Sequence, residues 1–178
     1  MKRIAKFEKV SLEEFIKDWC DTFDLDPSDG DTKSEVEDIY NSIKLPKRAT
    51  AGSAGYDFFA PLELNMNPGV TIKVPTGIRC KIDEGWVLKC YPRSGLGFKY
   101  RLQLDNTVGI IDSDYYDSDN EGHIFIKITN DSKRLWKNLS VHRGDGFAQG
   151  IFVEYGITID DEAAGVRNGG FGSTTENK

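Results

Sequence analysis

From Lys44 onward the chain is a series of short segments rich in β-branched and aromatic residues: YDFFA, LELNM, VTIKVPTGIRCKI, WVLKCYP, RLQL and FAQGIFVEY, parted by Gly, Pro, Asn and Asp. Short strands at even spacing with polar turns predict a mainly β domain, a barrel or jelly roll. The segment VGIIDSDYYDSDNEGHIFIKI, residues 108 to 128, continues the series and reads as a β-hairpin. VGII is its first strand, DSDNEG its turn, and HIFIKI a strand alternating between apolar and polar. Asp112 sits at the strand-to-turn boundary, where a carboxylate is ordinarily a solvated turn former.

Two helices are expected ahead of the β series, between residues 11 and 43. In SLEEFIKDWCDTF, Ser11 and Glu14 form a capping box, and Leu12, Phe15, Ile16, Trp19 and Phe23 share one face. SEVEDIYNSI repeats the design, with Ser34 and Glu37 as the box and Val36, Ile39, Tyr40 and Ile43 on the buried side. Between them, DLDPSDGDTKSE places Asp24, Asp26, Ser28 and Glu35 where a calcium loop has ligands. Asp29 occupies the position that needs glycine for the sharp turn, and Asp31 the usually apolar one, so an acidic helix-helix connection is the preferred reading.

At 178 residues the chain suits a single domain over residues 1 to 178, large enough to bury roughly 70% of its extended-chain surface. A net charge of −6 makes duplex nucleic acid a poor partner, because binding one requires a positive face. An anionic small substrate remains open if arginines gather locally or a divalent cation comes with it. Three cysteines without a CxxC pair argue against a disulfide framework or structural zinc and point to a reducing compartment. No apolar run approaches the roughly 18 residues of a membrane span, and MKRIAKFEKV lacks a signal peptide's apolar core, so a cytoplasmic location is expected.

There is no GxxxxGK[ST] phosphate loop and no HExxH, and with only His123 and His142 a serine triad would need Ser94, which lies outside a GxSxG elbow. PRSGLGFKY does offer an arginine, a hydroxyl and glycines that let backbone N–H groups approach an anion. Read alone, the segment is an ordinary loop with a surface arginine. The tail VRNGGFGSTTENK has no periodicity and reads as a disordered terminus, though Phe171 among glycines is odd for a chain end with nothing to bind.

The order AGSAGYDFFAP, PRSGLGFKYRLQL, NTVGIIDSDYY, RGDGFAQGIF, RNGGFGSTT resembles the five motifs of the trimeric dUTP diphosphatases (dUTPases) across residues 44 to 175. The resemblance implies a distorted jelly-roll barrel in which the first ten residues supply a strand and the helical pair at 11–43 is an insertion. It implies hydrolysis of dUTP to dUMP and pyrophosphate, which supplies dUMP and keeps uracil out of DNA. Asp112 matches the general base that activates water toward the α-phosphorus, and Tyr115 the ring that packs on deoxyribose and excludes a 2′-OH. Asn106 and Gly109 match the part that reads uracil. Arg93, Ser94, Gly95 and Gln149 match the phosphate-binding segments, and Asp57 a supporting acid. Phe171 would stack over uracil, with Arg167, Gly172, Ser173 and Thr174 closing on the phosphates, so that residues 167–178 form a lid. Mg2+ held mainly by triphosphate and water is implied, as is a homotrimer whose sites draw on three subunits.

The sequence departs from the family in three places. RGDGFAQ has Gly146 and Phe147 where an arginine and an aliphatic residue are common, with Arg143 as the available substitute; YDSDNEGH replaces a short turn; and the tail reads STTE rather than STG. The related dCTP deaminases carry a catalytic glutamate where, aligned on Asn130, this chain has Lys127, which disfavours deamination. A nucleotide-gated regulatory protein, with the 11–43 insertion contacting a protein partner, is the rival of a different class.

Overall fold

The structure, a computed structural model, describes residues 1–168. The longest β-patterned segment, VTIKVPTGIRCKI, is not one strand. It turns at Thr76 and Gly77 and separates into β5 (Thr71–Pro75) and β6 (Ile78–Ile82), which join different sheets. Gly77 has φ +70°, and a Cβ there would lie 2.3 Å from Ile43 Cδ1 and 3.2 Å from the Phe15 ring. Only glycine combines this backbone conformation with so close an approach of the N-terminal helices.

The preceding elements are β1 (Ala5–Lys9), α1 (Leu12–Phe23), α2 (Gly30–Ser42), β2 (Lys47–Arg48), β3 (Tyr56–Phe59) and β4 (Leu64–Met66). After β6 come β7 (Trp86–Pro92), α3 (Ser94–Tyr100), β8 (Leu102–Leu104), β9 (Gly109–Ile111), β10 (Phe125–Asn130), β11 (Leu139–Val141) and β12 (Gly146–Glu154). The fold is therefore strand-rich with a few helices. Its largest sheet has the order β2-β3-β12-β7-β9, and β5-β10-β8, β1-β6 and β4-β11 form smaller groups. Inward-facing Phe58, Leu64, Leu88, Ile126, Ile128 and Phe147 are buried in one continuous core. The opening residues do form a strand: Phe7 of β1 lies opposite Cys80 of β6. The short strand β11 had no distinct pattern in the sequence.

The expected hairpin over 108–128 is not formed. β9 pairs with β7, whereas β10 lies between β5 and β8. The polar residues between them are too many for a tight turn and fold instead into a 3-10 turn at Ser113–Asp117, closed where Ser118 Oγ and N both donate to the Tyr115 carbonyl.

Both N-terminal helices form, with altered caps. Ser11 Oγ accepts the Glu14 N–H as expected, but Glu14 turns to Lys17, and the Ser11 N–H donates instead to Glu121 across the fold. The second helix begins earlier than the Ser34 box predicts. Asp29 is its N-cap and accepts the Thr32 N–H at 2.8 Å, which leaves Ser34 inside the helix. Residues 30–35 are thus helical rather than wrapped as the second half of a calcium loop, and Asp26 is bonded to Ser28. Phe15, Ile16, Trp19, Val36 and Ile39 make a small core of their own, and Ile43 and Leu62 also contact the main one.

Candidate active site

The residues expected to bind phosphate gather at one end of the five-stranded sheet. β12 runs between β3 and β7, placing Gln149 opposite both Asp57 and Tyr91. Gln149 Nε2 donates to the Pro92 carbonyl at 3.2 Å, and Arg93 pairs with Asp57 at 3.5 Å. PRSGLGFKY, which reads as a loop, becomes the short helix α3, because the Arg93 carbonyl accepts the N–H groups of Leu96 and Gly97. Exposed Ser94 and Gly95 occupy its first turn, where no preceding carbonyl of the helix can take their N–H groups. Tyr91, Pro92, Ser94, Gly97, Phe98 and Gln149 line an open groove of about 490 Å³.

The fourth-motif departure has a structural reason. A Cβ at Gly146 would sit 3.0 Å from Arg93 Nη1, so the glycine leaves room for the Arg93 guanidinium, which donates weakly to the Gly146 carbonyl. Arg143 does not substitute for the family's arginine. Its Nη2 donates to the Asp38 carbonyl and its Nε to Ser42 Oγ, both at 3.0 Å, where a cation also complements the C-terminal end of α2.

Asp112 directly follows β9, one residue past its ladder with β7. Its residue precedes the 3-10 turn, yet its carboxylate makes no capping bond to it, so Asp112 is not serving as the turn former that the sequence alone favours. The side chain is 43% exposed and meets Arg167 Nη2 at 2.5 Å, while Arg167 Nε donates to Asp114 at 2.8 Å. Asp114 was visible in the sequence without a role, and the i, i+2 spacing of two carboxylates around one guanidinium is the signal that could have supplied one. The tail's arginine thus lies on its own chain's Asp112, whereas the three-subunit expectation sends it to a different subunit's site. Phe171, Gly172, Ser173 and Thr174 fall outside the described residues.

Tyr115 is buried. It donates its hydroxyl to the His123 carbonyl at 2.7 Å and accepts from Asn120 Nδ2 at 2.9 Å. Burial raises the phenol's pKa above the ordinary value, which keeps it an O–H donor. Asn106 and Thr107 form a tight turn ahead of β9, with the Val108 N–H donating to the Asn106 carbonyl at 2.7 Å and Thr107 at φ +67°. A β-branched residue there is strained, and such strain concentrates where a backbone is shaped for a ligand. Gly109 packs on Cys90, 3.1 Å from where its own Cβ would be.

The two groups of residues do not meet within one chain. Ile111 lies opposite Leu88 and Gly109 opposite Cys90, so Asp112 and Arg93 stand at opposite ends of the β7-β9 ladder. Asp112 follows Ile111 and so stands level with Val87, and the six residue steps from there to Arg93 span about 20 Å at ~3.3 Å per residue. Among the described residues, no three of His, Cys, Asp and Glu gather into a metal site. Isolated carboxylates suit a hard cation that arrives with a polyphosphate and takes only one or two protein ligands.

The dUTPase family model matches residues 41–175, starting near the end of α2. Deoxyuridine 5'-triphosphate nucleotidohydrolases from Lactococcus lactis and Escherichia coli are each 39% identical, over 74% and 75% of this chain and 88% and 89% of their own lengths. The structure of dUTPase from Streptococcus mutans superposes with a TM-score of 0.57 at 35% identity, covering 68% of this chain and 91% of that one. A Staphylococcus bacteriophage 80alpha dUTPase mutant with dUpNHpp is similar in fold at a TM-score of 0.62 and 16% identity, covering 94% of this chain and all of that one. The chain belongs to the dUTPase family.

Proposed function

We propose that the protein hydrolyses dUTP to dUMP and pyrophosphate, supplying dUMP and keeping uracil out of DNA. Asp112 takes a proton from a water whose oxygen attacks the α-phosphorus. The bond from that phosphorus to the bridging oxygen breaks, and pyrophosphate leaves. The observation that carries the reading is the Asp112 carboxylate, half-exposed just past the end of β9 and making no capping bond to the turn it precedes. Arg93, Ser94, Gly95 and Gln149 bind phosphate oxygens, with Asp57 orienting Arg93. Asn106 and Gly109 read the uracil edge, and Tyr115 packs on the deoxyribose. Mg2+ bound with the triphosphate would be held near the carboxylates mainly by phosphate and water, offsetting charge and fixing the chain of phosphates. Arg167 releases Asp112 and Asp114 as residues 167–178, with Phe171, Gly172, Ser173 and Thr174, close over the nucleotide.

The chain acts as a single domain, a jelly-roll barrel with the 11–43 helices inserted. A homotrimer would complete the site, and the separation of Asp112 from Arg93 supports sharing between subunits. The inserted helices, outside the family match, are the surface left for a protein partner. Three free buried thiols fit a reducing cytoplasm. Lys127, at the deaminase glutamate position, is paired with Asp105 at 3.2 Å and offers no acid/base carboxylate.

Assaying Asp112→Asn for pyrophosphate release tests the reading. Nucleotide binding should persist while kcat falls about 10²-fold or more, the scale of a removed general base. Undiminished turnover would refute the assignment.

A further inference from the structure

His123 has no exposed surface, and its ring lies between Phe15 of the insertion and Phe125 of β10, with centroids 6.1 and 4.5 Å away. Both ring nitrogens are engaged. Nε2 accepts the Gly77 N–H at 2.8 Å, so the imidazole proton resides on Nδ1, which donates to Asp18 of α1 at 2.5 Å. The same residue's carbonyl accepts the Tyr115 hydroxyl. One unbroken path therefore runs from Asp18, on a helix outside the family match, through His123 to Tyr115.

We propose that Asp18 is a positioning residue for sugar discrimination, holding the His123 ring so that the His123 carbonyl fixes Tyr115 against the deoxyribose. This rests on the reading of Tyr115 given above. A gate against one extra hydroxyl works only if the ring cannot yield, since a steric barrier that moves aside discriminates little. Tyr115 is on a 3-10 turn followed by a polar arm with no β-ladder of its own, so its position depends on side-chain anchors. Asn120 is one anchor, and the His123 carbonyl is another. Asp18, from α1, holds the ring of the residue that carries that carbonyl, which gives the N-terminal helices a part in the chemistry of the site.

The test compares kcat/KM for dUTP with that for UTP, a ratio independent of the active fraction. Asp18 is partly accessible on a helix, and alanine is the best helix former, so Asp18→Ala retains the helix. Its dUTP-over-UTP ratio should fall about three- to tenfold, the scale of one net hydrogen bond. Asp18→Asn keeps an acceptor for Nδ1–H and should return the ratio to within about twofold of wild type. Tyr115→Leu, which removes the ring, should lower the ratio at least as far as Asp18→Ala. A merely structural Asp18 would lower both kcat/KM values together and leave the ratio unchanged. An unchanged ratio in Asp18→Ala with a lowered one in Tyr115→Leu overturns the Asp18 inference alone. Unchanged ratios in both variants overturn the sugar reading of Tyr115 and the inference with it.

Discussion

Gly77→Ala should destabilise the protein by about 1–5 kcal/mol, a sum of three terms. A non-glycine residue at φ +70° costs about 1–2 kcal/mol through the contact between Cβ and the backbone. The new methyl group also lies 2.3 Å from Ile43 Cδ1 and 3.2 Å from the Phe15 ring, and overpacking of this kind costs about 1–3 kcal/mol. Against these, alanine restricts the unfolded chain and returns roughly 0.4–1 kcal/mol. Urea unfolding at fixed protein concentration reads the change as a lower midpoint at constant slope. The clash can be isolated because Ile43→Val removes the Cδ1 atom itself, at a cost of about 0.5–1.5 kcal/mol. The double variant should be about 1 kcal/mol more stable than the two single losses predict. A Gly77→Ala midpoint matching wild type, or single losses that add with no coupling, would refute the view that this turn is the seat of the inserted helices.

Glu121→Gln tests the clamp between the insertion and the polar arm. Burial works to raise the Glu121 pKa, but hydrogen bonds from Ser11 outweigh it and hold the group below the ordinary carboxylate value, so its stabilisation is present above that value and lost as pH falls through the lowered one. The substitution should cost about 1 kcal/mol at neutral pH, after allowing for solvent screening, and little in acid; a loss independent of pH contradicts the clamp. The shared site is checked by co-refolding Asp112→Asn chains with chains lacking residues 167–178. If the Asp112 segment and the tail come from different subunits, about a quarter of all sites should recover by cyclic symmetry, and no recovery in verified mixed trimers means that Arg167 serves its own chain's Asp112.

The sequence by itself determined what is local. Period-two alternation and turn residues identified most strands, and the 3.6-residue pattern identified both helices, because each reports a face that the segment must bury. Ser11 capped its helix as read, since that bond spans only three residues. The order of the five motifs was likewise written in the chain and matched its family. Tertiary structure decided how these pieces meet. Nothing in 108–128 states that β9 would prefer β7 to β10, because any exposed strand edge offers the same donors and acceptors. The cap expected at Ser34 gave way to Asp29, which starts α2 earlier and extends the helix toward α1. Arg143 looked like a phosphate ligand until α2 brought its carbonyls within reach. The placement of Asp112 and Arg93 at opposite ends of one ladder, and the path from Asp18 to Tyr115, join residues up to 105 positions apart. Such long-range contacts carry no periodic signature, and only the packed chain selects them.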